Sequence, residues 1–82
     1  MPTVILYTKE FCPLCDDAKL MLETLQNKYS YHIEIRDIHT NNNWLEQYHL
    51  LIPCIEINDK TLDASELDWH TLEQFVQSYL SR

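Results

Sequence analysis

Apolar residues recur along this chain in two rhythms. Thr3-Val4-Ile5-Leu6-Tyr7 is apolar almost throughout and rich in β-branched and aromatic residues. A run of that kind reads as a strand covered on both faces. After Leu14 the spacing changes. Leu14, Ala18, Met21, Leu22 and Leu25 recur at three and four residues, which places them on one face of a helix. Pro13 fits the first turn of that helix, where its missing N–H costs nothing. Asp16 and Asp17 follow where the positive helix end favours carboxylates, and the helix is expected to end near residues 27–29. Residues 31–38 then alternate, with Tyr31, Ile33 and Ile35 on one face and His32, Glu34 and Arg36 on the other. That is a half-buried strand, with Ile38 extending its apolar set.

A polar loop over residues 39–43 leads to a short helix, residues 43–49, built on Trp44, Leu45 and Tyr48. Leu51-Ile52-Pro53 is the next marker. Cys54-Ile55-Glu56-Ile57 reads as a strand beginning after the proline. Asn58-Asp59-Lys60 turns the chain and Thr61-Leu62 returns it, a β-hairpin. Ser65 or Asp68 caps a last helix whose apolar face is Leu67, Leu72, Phe75, Val76, Tyr79 and Leu80. The order is βαβαββα. A strand–helix–strand unit implies a parallel pair with a right-handed crossover, and the closing hairpin adds antiparallel strands. The expected fold class is α/β, a four-stranded mixed sheet with helices on both faces, in one domain over residues 1–82.

Composition narrows the function classes. The 82 residues are 45% hydrophobic and carry a formal charge of −7. No basic stretch is present to neutralise phosphates, so neither nucleic acid nor an anionic membrane surface is an expected partner. The longest apolar run is about five residues, far below a membrane span. There is no basic start followed by an apolar stretch and a small-residue cleavage site, so a cytoplasmic location is expected. The three cysteines are an odd number and argue against a fully paired disulfide framework. Glycine is absent, so any left-handed backbone position falls to other residues. Asn41-Asn42-Asn43 and Asn58-Asp59 are the natural candidates.

The chemistry concentrates at Cys12-Pro13-Leu14-Cys15, where the first strand gives way to a helix. A cysteine there meets unpaired backbone N–H groups and the positive dipole end, which favour the thiolate. Thiol pKa values in CxxC pairs run from about 3.5 to 7.5. Lys9 supports such a shift while Asp16 and Asp17 oppose it, so a moderate one is expected. A separation of three residues lets both sulfurs lie on one side of the helix and bond to each other. Cys12 suits the attacking role and the more sheltered Cys15 the resolving role. The same cysteines also suit a metal or cluster site, although structural zinc wants a second close ligand pair. Cys54 stands alone, and His32, His39, His49 and His70 are scattered. Cys54 reads as a small buried apolar residue at a strand start. Phe11, beside Cys12 in an exposed loop, is a candidate for apolar substrate contact.

Tyr7-Thr8-Lys9, Cys12-Pro13-Leu14-Cys15, Ile52-Pro53 and the Asn58-Asp59-Lys60 turn together resemble a glutaredoxin or small glutaredoxin-like protein of the thioredoxin-fold superfamily. The likeness runs in order over nearly the whole chain. It implies a thioredoxin-like fold, a cis bond before Pro53, a nucleophilic Cys12 and a resolving Cys15. It further implies that Lys9 meets a glutathione carboxylate and that the backbone of Ile52 pairs with the glutathione peptide. Pro13 and Leu14 join the substrate-binding surface on the same ground. The sequence departs from the family at two places. Leu14 stands where glutaredoxins usually carry an aromatic residue. Asp63-Ala64-Ser65-Glu66 replaces the usual Gly-Gly and acidic loop, with Glu66 the candidate for the acidic group. Losing those glycines restricts the backbone and narrows the groove expected to hold glutathione.

The expected activity is thiol–disulfide oxidoreduction of protein or glutathione mixed disulfides by the Cys12/Cys15 dithiol. The expected partners are disulfide-containing proteins, with glutathione as a candidate co-substrate. No tightly bound cofactor and no metal is expected, and the chain is expected to act as a monomer. The alternative is a metal- or cluster-binding redox or delivery module that uses the same cysteines, in one version across a dimer.

Overall fold

The strand β1 (Thr3–Thr8) lies inside a sheet of order β2-β1-β3-β4. The structure is a computed structural model and describes residues 1–80. β1 pairs in parallel with β2 (His32–Asp37), from Thr3 opposite His32 to Thr8 opposite Asp37. On its other side β1 runs antiparallel to β3 (Cys54–Ile57), with Tyr7 opposite Cys54. β3 turns through Asn58 and Asp59 into β4 (Lys60–Leu62). Both turn residues have positive φ, 52° and 67°, as a two-residue hairpin turn requires. The mixed sheet and the thioredoxin-like layout read from the sequence are present.

The crossover from β1 to β2 is α1 (Pro13–Leu25). It shares one sheet face with α3 (Trp69–Leu80). The core there is aliphatic: Val4, Leu6, Ile55 and Ile57 from the sheet meet Ala18, Leu22 and Leu25 of α1 and Leu72 and Val76 of α3. Burying each such large side chain contributes about 1.5–3 kcal/mol. α2 (Asn42–Tyr48) covers the opposite face, where Tyr7, Ile38, Tyr48 and Cys54 are buried. Helices therefore lie on both faces.

Several local expectations shift. Ile38 does not prolong β2 but opens a 3-10 turn, Ile38–Thr40, capped by the Asp37 carboxylate. Asn41 is extended (φ −152°), and its side chain accepts from the N–H groups of Asn43 and Trp44 at the start of α2. It is a helix cap, a second use of a short polar side chain. The left-handed position not anticipated is Phe11, with φ 55°. Of the two candidate caps for α3, Asp68 serves: its carboxylate accepts from Thr71 N at 2.8 Å, and its own N–H donates to Thr71 Oγ1 at 2.9 Å. Arg36, on the face read as polar, is half-buried against aromatic rings, while Ile35 on the apolar face is exposed.

Candidate active site

The site forms where β1 stops. Thr8 ends the strand, and Lys9, Glu10 and Phe11 carry the chain over the sheet edge. A left-handed phenylalanine costs about 1–2 kcal/mol relative to ordinary backbone, and here it turns the chain into α1. Its ring is left almost wholly in solvent, 96% exposed. Cys12 is then the N-cap of α1, extended at φ −123° and ψ 96°, with Pro13 in the first turn. The Cys12 sulfur accepts the Cys15 backbone N–H at 3.1 Å. A sulfur thus occupies the position where serine or aspartate usually satisfies a helix N-terminus.

Cys12 and Cys15 are joined as a disulfide, with Cα atoms 5.2 Å apart. Their exposures differ. Cys12 is half-buried, while Cys15 is 1% exposed and packs under the helix. The Ile52–Pro53 peptide is cis. Pro53 is fully buried, and Cys54 after it is a free thiol with no exposure. Burial pushes the Cys54 thiol up to about 12, with Asp63 and Glu56 adding to the effect. A thiol so protonated is inert at neutral pH.

Two concavities flank α1. On the β3 side a groove of about 100 Å³ is lined by Leu14, Asp17, Ala18, Met21, Pro53, Ala64 and Leu67. On the β2 side a cavity of about 240 Å³ is lined by Leu6, Thr8, Lys9, Glu10, Cys15, Asp16, Lys19, Ile35 and Asp37. The structure thus brings Leu14 and Pro53 together in the first of these, while Cys15 lines the second. Lys9 falls on the other flank of α1. Pro13 and Leu14 are exposed at the helix mouth. Ile52 packs with its side chain toward the Tyr7 and Tyr48 cluster. Its neighbour Leu51 has a carbonyl that accepts Ala64 N at 3.1 Å, tying the loop after β4 to the segment before Pro53. Glu66 is exposed and lines neither concavity; its backbone N–H donates to the Asp63 carbonyl and its carbonyl accepts from Thr71 Oγ1.

Residues 3–80 match the family described as Glutaredoxin-like domain (DUF836). The chain belongs to this glutaredoxin-like family. Solved structures agree on the fold. Protein Ne2328 from Nitrosomonas europaea is 28% identical with a TM-score of 0.78, covering 99% of this chain and 94% of that one. The structural genomics target XcR50 from X. campestris is 21% identical with a TM-score of 0.77, covering 92% and 96%. A mutant thioredoxin from Halobacterium salinarum NRC-1 is 15% identical with a TM-score of 0.70, covering 98% and 75%. This glutaredoxin-like chain therefore has the thioredoxin fold, with a cysteine pair at the start of α1.

Groove residues outside those expected at the site are Asp17, Ala18, Met21 and Leu67; Ala64 belongs to the segment 63–66 already expected to narrow the groove. A signal for the first three existed: Leu14, Asp17, Ala18 and Met21 are one stripe at helical spacing. Leu67 had none, because only the tertiary fold brings it against α1. The histidines are all exposed. Among the described residues no three His, Cys, Asp or Glu side chains converge in a way that would hold a metal ion. No helix among them is long and apolar enough to cross a membrane.

Proposed function

We propose that the protein is a thiol–disulfide oxidoreductase that reduces disulfides of protein partners through the Cys12/Cys15 dithiol. The observation that carries this reading is the asymmetry of the pair. Cys12 is half-buried at the N-cap of α1 with an N–H aimed at its sulfur, while Cys15 is shielded beneath it.

In the reduced protein the Cys15 N–H and the positive end of α1 favour the Cys12 thiolate. That thiolate attacks one sulfur of a substrate disulfide. A Cys12–substrate mixed disulfide forms and the other substrate sulfur leaves as a thiolate, which takes up a proton. Cys15 then gives up its proton and attacks the Cys12 sulfur. The Cys12–Cys15 disulfide forms and the second substrate thiol is released. Two electrons and two protons pass to the substrate, and the protein ends in the oxidised state seen here. Two equivalents of an external thiol return it to the dithiol and leave as their own disulfide; glutathione is the candidate. Pro53 and the backbone of Ile52 flank the incoming sulfur. Ile52 makes none of the loop or turn backbone hydrogen bonds found among the described residues, which supports its use by an extended substrate segment. The cytoplasm, where thiols are kept reduced, suits this direction of transfer.

Reduction of a protein disulfide by the pre-reduced protein, with no other thiol present, tests the reading. Cys12→Ser is expected to abolish it, and Cys15→Ser to stop it at the mixed disulfide. Reduction by Cys12→Ser at the wild-type rate would sink the proposal.

A further inference from the structure

The groove beside Pro53 carries information about the substrate that the cysteine pair does not. Six of its seven lining residues are apolar, and its one charged side chain is the carboxylate of Asp17. The nearby cations are elsewhere, since Lys9 and Lys19 both line the cavity on the opposite flank of α1, among Glu10, Asp16 and Asp37. Asp63 is occupied in its own turn, accepting from the N–H and hydroxyl of Ser65. Two apolar side chains that flank Cys12 in the chain face solvent: Leu14, which lines the groove, is 65% exposed and Phe11 is 96% exposed. Solvent-facing apolar side chains this close in the chain to a reactive sulfur are a surface awaiting cover. The whole chain carries −7.

Resting on the function proposed above, we infer that this groove takes an extended segment of a partner protein with an apolar side chain next to its disulfide cysteine and a basic side chain beyond it, in preference to glutathione. A groove of about 100 Å³ holds one apolar side chain against Leu14, Met21 and Leu67. Releasing water from those surfaces favours docking. Asp17 stands at the groove to meet the basic group. Glutathione brings two carboxylates and one ammonium. Seated in this groove, its carboxylates meet an apolar wall and Asp17 with no cation among the lining residues. A carboxylate desolvated without a partner is unfavourable.

The test uses the pre-reduced protein itself as the reductant in single turnovers, so that each reaction converts one substrate disulfide to two thiols and the protein dithiol to its disulfide. The substrates are symmetric disulfides of blocked pentapeptides with Leu before and Arg after the cysteine, the same peptide with Glu in place of Arg, and oxidised glutathione. Each rate is divided by that on bis(2-hydroxyethyl) disulfide, which is small and uncharged. The Leu/Arg peptide is expected to exceed oxidised glutathione by about tenfold, the usual reach of one well-filled apolar subsite. It is expected to exceed the Glu peptide by about fivefold, as one exposed charge contact allows. Asp17→Lys should reverse the order of the Arg and Glu peptides. Glutathione disulfide reacting as fast as the Leu/Arg peptide, or an unchanged order in Asp17→Lys, overturns the inference and leaves the redox function standing. No reaction with any disulfide, bis(2-hydroxyethyl) disulfide included, overturns the redox function itself.

Discussion

The two faces of the sheet are built by different means. Beneath α1 and α3 the core is aliphatic, with Leu6, Leu22, Ile55, Leu72 and Val76 excluded from solvent. Among the described residues, a buried polar bond there runs from the Tyr31 hydroxyl to the Leu22 carbonyl. Beneath α2 the face is aromatic and polar. Arg36 donates to the Tyr7 hydroxyl at 2.9 Å, and Tyr7 donates to Glu56 at 3.1 Å. Tyr48 donates to the same carboxylate at 3.3 Å and stacks on Tyr7 with ring centroids 3.8 Å apart. The Arg36 guanidinium lies 5.0 Å over the Trp44 ring, and Glu34 holds it from the side. The aliphatic face has no directional preference and only needs to be filled. The α2 face has hydrogen bonds that fix where Tyr7 and β3 sit relative to one another. Both strands run directly to the site, β1 into Lys9 and β3 back from Pro53. The aliphatic face supplies most of the stability and the α2 face sets alignment.

The largest expected effect lies on the aliphatic face. Leu22→Ala is expected to lower unfolding free energy by about 2–5 kcal/mol, read by urea denaturation, with disulfide reduction per folded molecule retained. A loss below about 1 kcal/mol would mean that this face is not the main source of stability. On the α2 face, Tyr48→Phe keeps the stack and removes one donor to Glu56. It is expected to cost about 1 kcal/mol. A loss as large as that of Leu22→Ala would erase the contrast.

A pH series sharpens the same comparison. Cys54 ionises near 9.0 when unfolded and is raised to about 12 by burial. Tyr31 rises from 10.0 to about 12 for the same reason, and burial raises Tyr48 further still. A raised folded pKa means that the unfolded chain releases its proton first. Stability from these groups is therefore complete below about pH 9 and is lost progressively up to about 12. Denaturation midpoints should be flat through neutral pH and fall above about pH 9. Cys54→Ala, expected to cost about 1 kcal/mol, should move the start of that fall toward the tyrosine range. An unchanged alkaline profile in Cys54→Ala would assign the fall to the tyrosines alone.

Most of the aliphatic face was legible in the sequence, because its information is periodic. The unbroken apolar run of β1 and the three-and-four spacing of Ala18, Leu22 and Leu25 specify elements before any tertiary contact is known, although Leu14 on the same spacing is 65% exposed. Asn58-Asp59 announced its turn for the same local reason. The α2 face was less legible. Alternation assigned Arg36 to the polar side correctly but not to burial, since its aromatic partners Tyr7 and Trp44 come from elsewhere in the chain. Phe11 in a left-handed conformation contradicts every local preference of a bulky residue; it is imposed by the need to join β1 to α1. At the site, Cys12 and Cys15 could be picked out by spacing, and Pro53 by the resemblance to glutaredoxins. The flank of α1 on which Lys9 falls could not, because it depends on how the helix is seated on the sheet.

The division of labour between Cys12 and Cys15 is tested most directly by trapping. Reduced Cys15→Ser protein is mixed with the symmetric Leu/Arg peptide disulfide, and the products are read by intact mass and peptide mapping. The account predicts one peptide bound per protein, linked through Cys12, with one equivalent of peptide thiol released and Cys54 unmodified. An adduct on Cys54, or no adduct at all while Cys12 remains a free thiol, would contradict it.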